Sequence, residues 1–172
     1  MFLNFIRDFA LKKIISKSLS NYKPVSGTDA VYTVGILIDD SYFPDKDAFI
    51  SQLLQNGINS SDIETLSFME RVKSKEVVDY PYFTRKNIST MGTFEKPEAA
   101  AFLNKPFDML ISYYDVEKAP LMLATLQSKA KFKVGFSTVD KRLNHFMIDT
   151  VAEKQTEFIT ELFKYLKILK KI

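Results

Sequence analysis

No cysteine occurs in the 172 residues. That excludes disulfides, thiolate zinc sites and cysteine nucleophiles, and nothing suggests an oxidising compartment. Histidine occurs once, as His145, and a lone imidazole with no Asp, Ser or Cys partner at a telling spacing reads as structural. Glycine is scarce and scattered: Gly27, Gly35, Gly57, Gly92 and Gly135 are all isolated. Neither GxGxxG nor the P-loop run GxxxxGK followed by Ser or Thr is present, so a conventional dinucleotide or nucleotide site is not expected, although a helix N-terminus could still hold an anion unaided. Gly-x-Ser-x-Gly is absent too, which removes the hydrolase elbow. No apolar run approaches the roughly 18 to 20 residues that cross a bilayer, so no transmembrane segment is expected. The opening MFLNFIRDFALKKIISKS is interrupted by Arg7, Asp8, Lys12 and Lys13 and has neither the core nor the cleavage site of a signal peptide. The expected location is cytoplasmic, or peripheral to the inner membrane through that segment.

What is present is a globular composition, 46% hydrophobic with 15 Phe, in a length suited to one domain. Net charge is only +3 but uneven. Residues 1–23 carry Arg7, Lys12, Lys13, Lys17 and Lys23 against Asp8, and residues 160–172 carry four lysines against Glu161. The body between is acidic, and the basic ends could meet an anionic surface or RNA, although lysine is also the ordinary solvent face of a helix. A further basic group, Lys129, Lys131, Lys133, Lys141 and Arg142, interleaves with Phe132 and Phe136; it reads as a strand with one solvated side.

Phe107 to Gly135 reads as strand, helix, strand: an apolar run ending in Asp115, a helix-period segment from Lys118 to Lys129, and a second apolar run from Phe132. Val31–Ile38 is the candidate first strand, followed by a helix over Lys46–Gln55 that Asn56-Gly57 stops, and by a strand over Ile63–Met69. Residues 70–93 form a long excursion, with a short strand near Tyr82–Thr84 and a second extended piece at Lys86–Ile88. A short helix over Pro97–Leu103, a last strand over His145–Ile148 at a possible edge and a closing helix over Ala152–Ile172 complete the pattern. The expected architecture is a single Rossmann-like α/β domain over 31–172, with a mostly parallel sheet of about five or six strands covered on both faces. An amphipathic helix over residues 1–20 and a linker over 21–30 precede it. Phe2, Phe5, Ile6 and Phe9 give that helix its apolar face. Docking within the protein or onto a second copy is the first expectation, ahead of a partner groove or an anionic membrane.

In open parallel sheets ligands bind beyond the carboxyl ends of the strands. That address holds Asp39, Asp40 and Ser41 after the first strand, Tyr113, Tyr114 and Asp115 after the central one, and Ser137 and Thr138 after the next. Carboxylates there could act as acid and base or hold a cation. They are also ordinary loop and cap residues, and no cofactor or resident metal is expected. Candidate partner-binding residues are Arg7, Lys12, Lys13 and Lys17.

The segments VGILIDDSYF, KPFDMLISYYD, LATLQSKAKFKVGF and FKYLKILKKI resemble a family of small bacterial proteins known as a domain of unknown function. This implies a common fold and a soluble bacterial protein. More distantly, an apolar strand with Asp at its mouth, an aliphatic helix and KFKVGF are similar to the N-terminal half of heptosyltransferase-type glycosyltransferases. The chain has the length of one such half and IDDSYFPDKD in place of their Gly-Asp acceptor-side signature, so a complete transferase of that kind is not expected. The leading expectation is a non-catalytic protein that binds a protein partner or itself. A small transferase-like enzyme at the strand-end crevice and an RNA- or ribonucleoprotein-associated protein are the alternatives.

Overall fold

The computed structural model describes residues 2–22, 27, 29–41, 45–72 and 77–172, with side chains from Phe5 onward. Phe2's side chain, half of the expected linker with Lys23 in it, and part of the 70–93 excursion lie outside the described residues. The elements are α1 (Phe2–Asn21), β1 (Val34–Asp39), α2 (Lys46–Gln55), β2 (Ile63–Phe68), β3 (Tyr82–Phe83), α3 (Pro97–Asn104), β4 (Met109–Tyr113), α4 (Ala119–Gln127), β5 (Phe132–Phe136), β6 (Phe146–Ile148) and α5 (Gln155–Ile168).

All six strands are parallel, in the order β3-β2-β1-β4-β5-β6, the doubly wound Rossmann order. Strand order reverses between β1 and β4, where Gly35 pairs with Leu110 and Ile38 with Tyr113. Every residue of β1, β4 and β5 is buried, so these strands are apolar without alternation because helices cover both faces.

On one face Leu37, Leu66, Phe68 and Leu110 pack with α1, α3 and α4 through Leu11, Ile15, Phe102, Leu121 and Ala124. On the other, Ile36, Ile38, Ile111 and Val134 pack with α2 and α5 through Phe49, Leu53, Phe158 and Leu162. Gly35 admits the first layer closely: a Cβ there would lie 2.7 Å from the Phe107 ring.

Several details depart from the sequence expectation. β1 starts at Val34 rather than Val31, because the N–H groups of Tyr32 and Thr33 are bound by the Asp108 carboxylate at 3.1 and 2.9 Å instead of by a ladder partner. The stretch expected to be extended at Lys86–Ile88 is mostly a 3-10 turn, Arg85–Asn87, capped by the N–H and hydroxyl of Thr84 on Asn87 Oδ1. Ile88 alone is extended, bridging antiparallel to Phe94. The closing helix ends at Ile168, where Lys170 takes a left-handed φ of 53° and turns the chain inward. Lys171 is buried, its carbonyl accepting from Val31 N–H and its ammonium reaching the Gly27 carbonyl at 2.5 Å. The C-terminal basic cluster is thus only partly solvated.

α1 also packs on a stripe other than the one expected. Leu11, Ile15 and Leu19 are buried, at i, i+4 and i+8, while Phe5 and Phe9 face outward. The basic group around β5 is not one solvated row either. Lys133 is 2% exposed, and its ammonium donates to the Thr125 carbonyl at 2.6 Å and to the Tyr22 hydroxyl at 3.1 Å. A buried cation thereby caps the C-terminal end of α4.

Candidate functional site

The strand-end address begins with Asp39 and Asp40, consecutive residues that the pleat sends to opposite faces of the sheet. Asp39, 3% exposed, closes a turn by accepting from Ser41 N–H at 3.1 Å. Its other oxygen lies 2.8 Å from the ammonium of Lys118. Lys118 is the N-cap residue of α4, and its ammonium also lies 3.2 Å from Glu70, just beyond β2. One cation therefore ties together the carboxyl ends of β1, β2 and β4 at the point of strand reversal. Burial alone would pull its pKa down, but Asp39 and Glu70 outweigh this and hold it above the usual lysine range.

Asp40 turns to the α2 face. It pairs with Lys46, the first residue of α2, and accepts from the Tyr80 hydroxyl at 3.1 Å. Lys46 in turn donates to Ser67 Oγ at 2.9 Å and stands 3.7 Å over the Tyr80 ring. Asp115 accepts from the Ala152 N–H at 2.9 Å, which holds the segment entering α5. Ser137 donates to Asp149 at 2.8 Å, and Thr138 to the Asp115 carbonyl at 2.7 Å. Asp39, Asp40 and Asp115 are thus distributed among three separate sets of partners. Among the described residues no group of three His, Asp or Glu side chains is gathered to hold a metal ion.

Tyr113 and Tyr114 lie in the core, one on each face of β4. Tyr113 donates to the Ala152 carbonyl at 2.7 Å and packs edge-on against Phe49, Phe136 and Phe158, with centroids 4.6 to 5.1 Å away. This four-ring cluster occupies the α2/α5 side just beneath the switch point. Tyr114 shares a 2.8 Å hydrogen bond with Thr125. Both phenols stand above the usual tyrosine range, mainly through burial, with the charges of Asp115 and Glu153 adding for Tyr113.

His145 accepts the Lys133 N–H on Nδ1 at 2.8 Å and stacks on Phe132, which fits a positioning role just before edge strand β6. A separate open groove of about 600 Å³ lies beyond β2 and β3, lined by Glu70, Arg71, Tyr82, Thr84, Arg85 and Lys86 among others.

Of the basic candidates on α1, Lys12, Lys13 and Lys17 are exposed and Arg7 is half-buried. The residues that sequence reasoning missed are Lys118, Lys46, Glu70 and Tyr80. A signal existed for two of them: Lys118 and Lys46 put cations at helix N-termini, where the macrodipole disfavours them. Such a placement calls for a carboxylate close by, and the two at the end of β1 supply it.

No described helix is long and apolar enough to cross a membrane. A search of curated proteins and of solved structures finds no match to the chain. A family model described as a family of unknown function, DUF6913, matches residues 7–169, and with that share of its length matched the chain belongs to the DUF6913 family.

Proposed function

We propose that this chain is a non-catalytic binding protein of the bacterial cytoplasm that meets its partner through its outer surface rather than through the strand-end crevice. The observation that carries the reading is the Lys118 ammonium, seated among Asp39 and Glu70. In nucleotide-binding sheets the helix after the first strand takes a phosphate at its N-terminus; here that helix, α2, opens on Lys46 paired with Asp40, and Lys118 with its counter-ions fills the neighbouring loop after β4. The cluster around Tyr113 adds bulk below it. The setting rests on the sequence resemblance and on the lack of cysteine.

The test is thermal melting of the full chain with nucleoside di- and triphosphates, nucleotide sugars and Mg²⁺. No shift is expected. A rise in Tm that grows with ligand concentration and disappears in Lys118→Met would favour the enzyme reading instead.

A further inference from the structure

We propose that the outward face of α1 is a docking surface for an anionic lipid bilayer. The inference rests on the surface-binding reading above and names the partner. α1 spends Leu11, Ile15 and Leu19 on the core, which leaves Phe5 at 71%, Ile6 at 48% and Phe9 at 67% exposure in its first half. Phe5, Phe9, Lys12 and Ser16 follow one another at i, i+4, i+7 and i+11, and Ile6, Lys13 and Lys17 run beside them, so both groups share the solvent side. The face is segregated along its length: aromatic and aliphatic toward the N-terminus, cationic toward the C-terminus. Asp8 is the sole acidic residue of α1, and Arg85 neutralises it. Among the described residues Lys12, Lys13 and Lys17 meet no carboxylate.

Charge complementarity selects the occupant. An anionic bilayer offers phosphates to the three lysines and hydrocarbon just below them to Phe5, Ile6 and Phe9. A second copy meeting it face to face would bring the same cationic surface, whose one acid, Asp8, is already paired with Arg85. A single nucleic-acid strand could stack on the two rings, but it offers Ile6 nothing.

The experiment is co-sedimentation of the full chain with phosphatidylcholine vesicles containing about 30% phosphatidylglycerol at about 0.1 M salt. Binding is expected to the anionic vesicles and not to pure phosphatidylcholine. Phe5→Ser/Phe9→Ser should weaken it at least about tenfold, and Lys12→Glu/Lys13→Glu should do the same. Each double variant should keep the parent Tm, since these side chains are exposed. No binding by the parent chain, equal binding to neutral vesicles, or binding that survives the phenylalanine changes overturns the proposal. So does a Tm lowered by those changes, a dimer that they dissociate, or an oligonucleotide complex formed in place of vesicle binding. The ligand panel for the crevice is independent of vesicles, so the two readings can fail separately.

Discussion

The ammonium of Lys118 and the carboxylate of Asp39 lie 2.8 Å apart across the switch point of the sheet, with side-chain exposures of 12% and 4%. The pair joins the loop after β4 to the end of β1, the two strands between which ligands enter sheets of this order. A charge pair so little hydrated is costly to break from one side, since the remaining partner stays buried without its counter-ion.

Leu110 lies at the centre of β4, fully buried between the register partners Gly35 and Lys133. Leu110→Ala should cost about 2 to 5 kcal/mol, from lost transfer energy and the residual cavity. Chemical denaturation should show a lower midpoint at an unchanged slope. An unchanged midpoint would show that β4 is not central.

Asp108 organises the opposite, amino end of the sheet. It accepts from the N–H groups of Tyr32 and Thr33, from the Thr33 hydroxyl and from the Lys131 ammonium. Burial alone would raise its carboxyl, but Lys131 and the Thr33 and Tyr32 donors outweigh that and bring it down to about 2. The stability it adds is therefore complete above the unfolded value near 4 and is lost as pH falls through about 2. Asp108→Ala should cost about 2 kcal/mol at neutral pH, and the loss should shrink below pH 4. An equal cost at pH 2 and pH 7 would contradict this.

Lys133 provides the converse case. Burial, with the Lys129 charge adding, pulls its ammonium down to about 8. Below that value both folded and unfolded chains hold the proton, and the fold carries the full cost of burying the charge. Between about 8 and the unfolded value near 10.5 only the unfolded chain holds it, so stability should rise with pH by up to about 1.4 kcal/mol per unit. Above about 10 the buried Tyr113 and Tyr114 oppose this, because only the unfolded chain then ionises them. Denaturant titrations from pH 7.5 to 9.5 should show the rise in the parent and a flatter profile in Lys133→Met. Identical profiles would remove Lys133 as the cause.

The fold was legible where burial on both faces leaves a run uniformly apolar. Lys46–Gln55 stands in the structure with the limits that its pattern suggests and β5 starts at Phe132 as expected, and both faces of β1, β4 and β5 are covered. The site was only partly legible. Asp39, Asp40, Asp115 and Ser137 do lie at strand ends, but a strand's alternation sends neighbouring carboxylates apart. The cations that receive them come from the starts of α2 and α4, and only the tertiary fold brings them there. Lys133 misled for a related reason. A lysine between Phe132 and Val134 looks like the polar side of a half-solvated strand, yet here the end of α4 supplies carbonyl acceptors within the layer above it. On α1, helical spacing pointed to the face of Phe2, Phe5, Ile6 and Phe9, but packing on α4 selected Leu11, Ile15 and Leu19 instead.

The central claim is that Lys118 and Asp39 hold the switch point together instead of serving a bound substrate. The most direct measurement is a double-mutant cycle by chemical denaturation, using Lys118→Met, Asp39→Asn and the pair. Lys118→Met should cost about 3 kcal/mol because Asp39 is left buried without its cation. Asp39→Asn should cost less, since Glu70 remains 3.2 Å from the ammonium. The double variant should recover about 1 kcal/mol or more of the summed loss. Single variants that are more stable than the parent, with no coupling between them, would contradict the account and mark charges kept for function at the expense of stability.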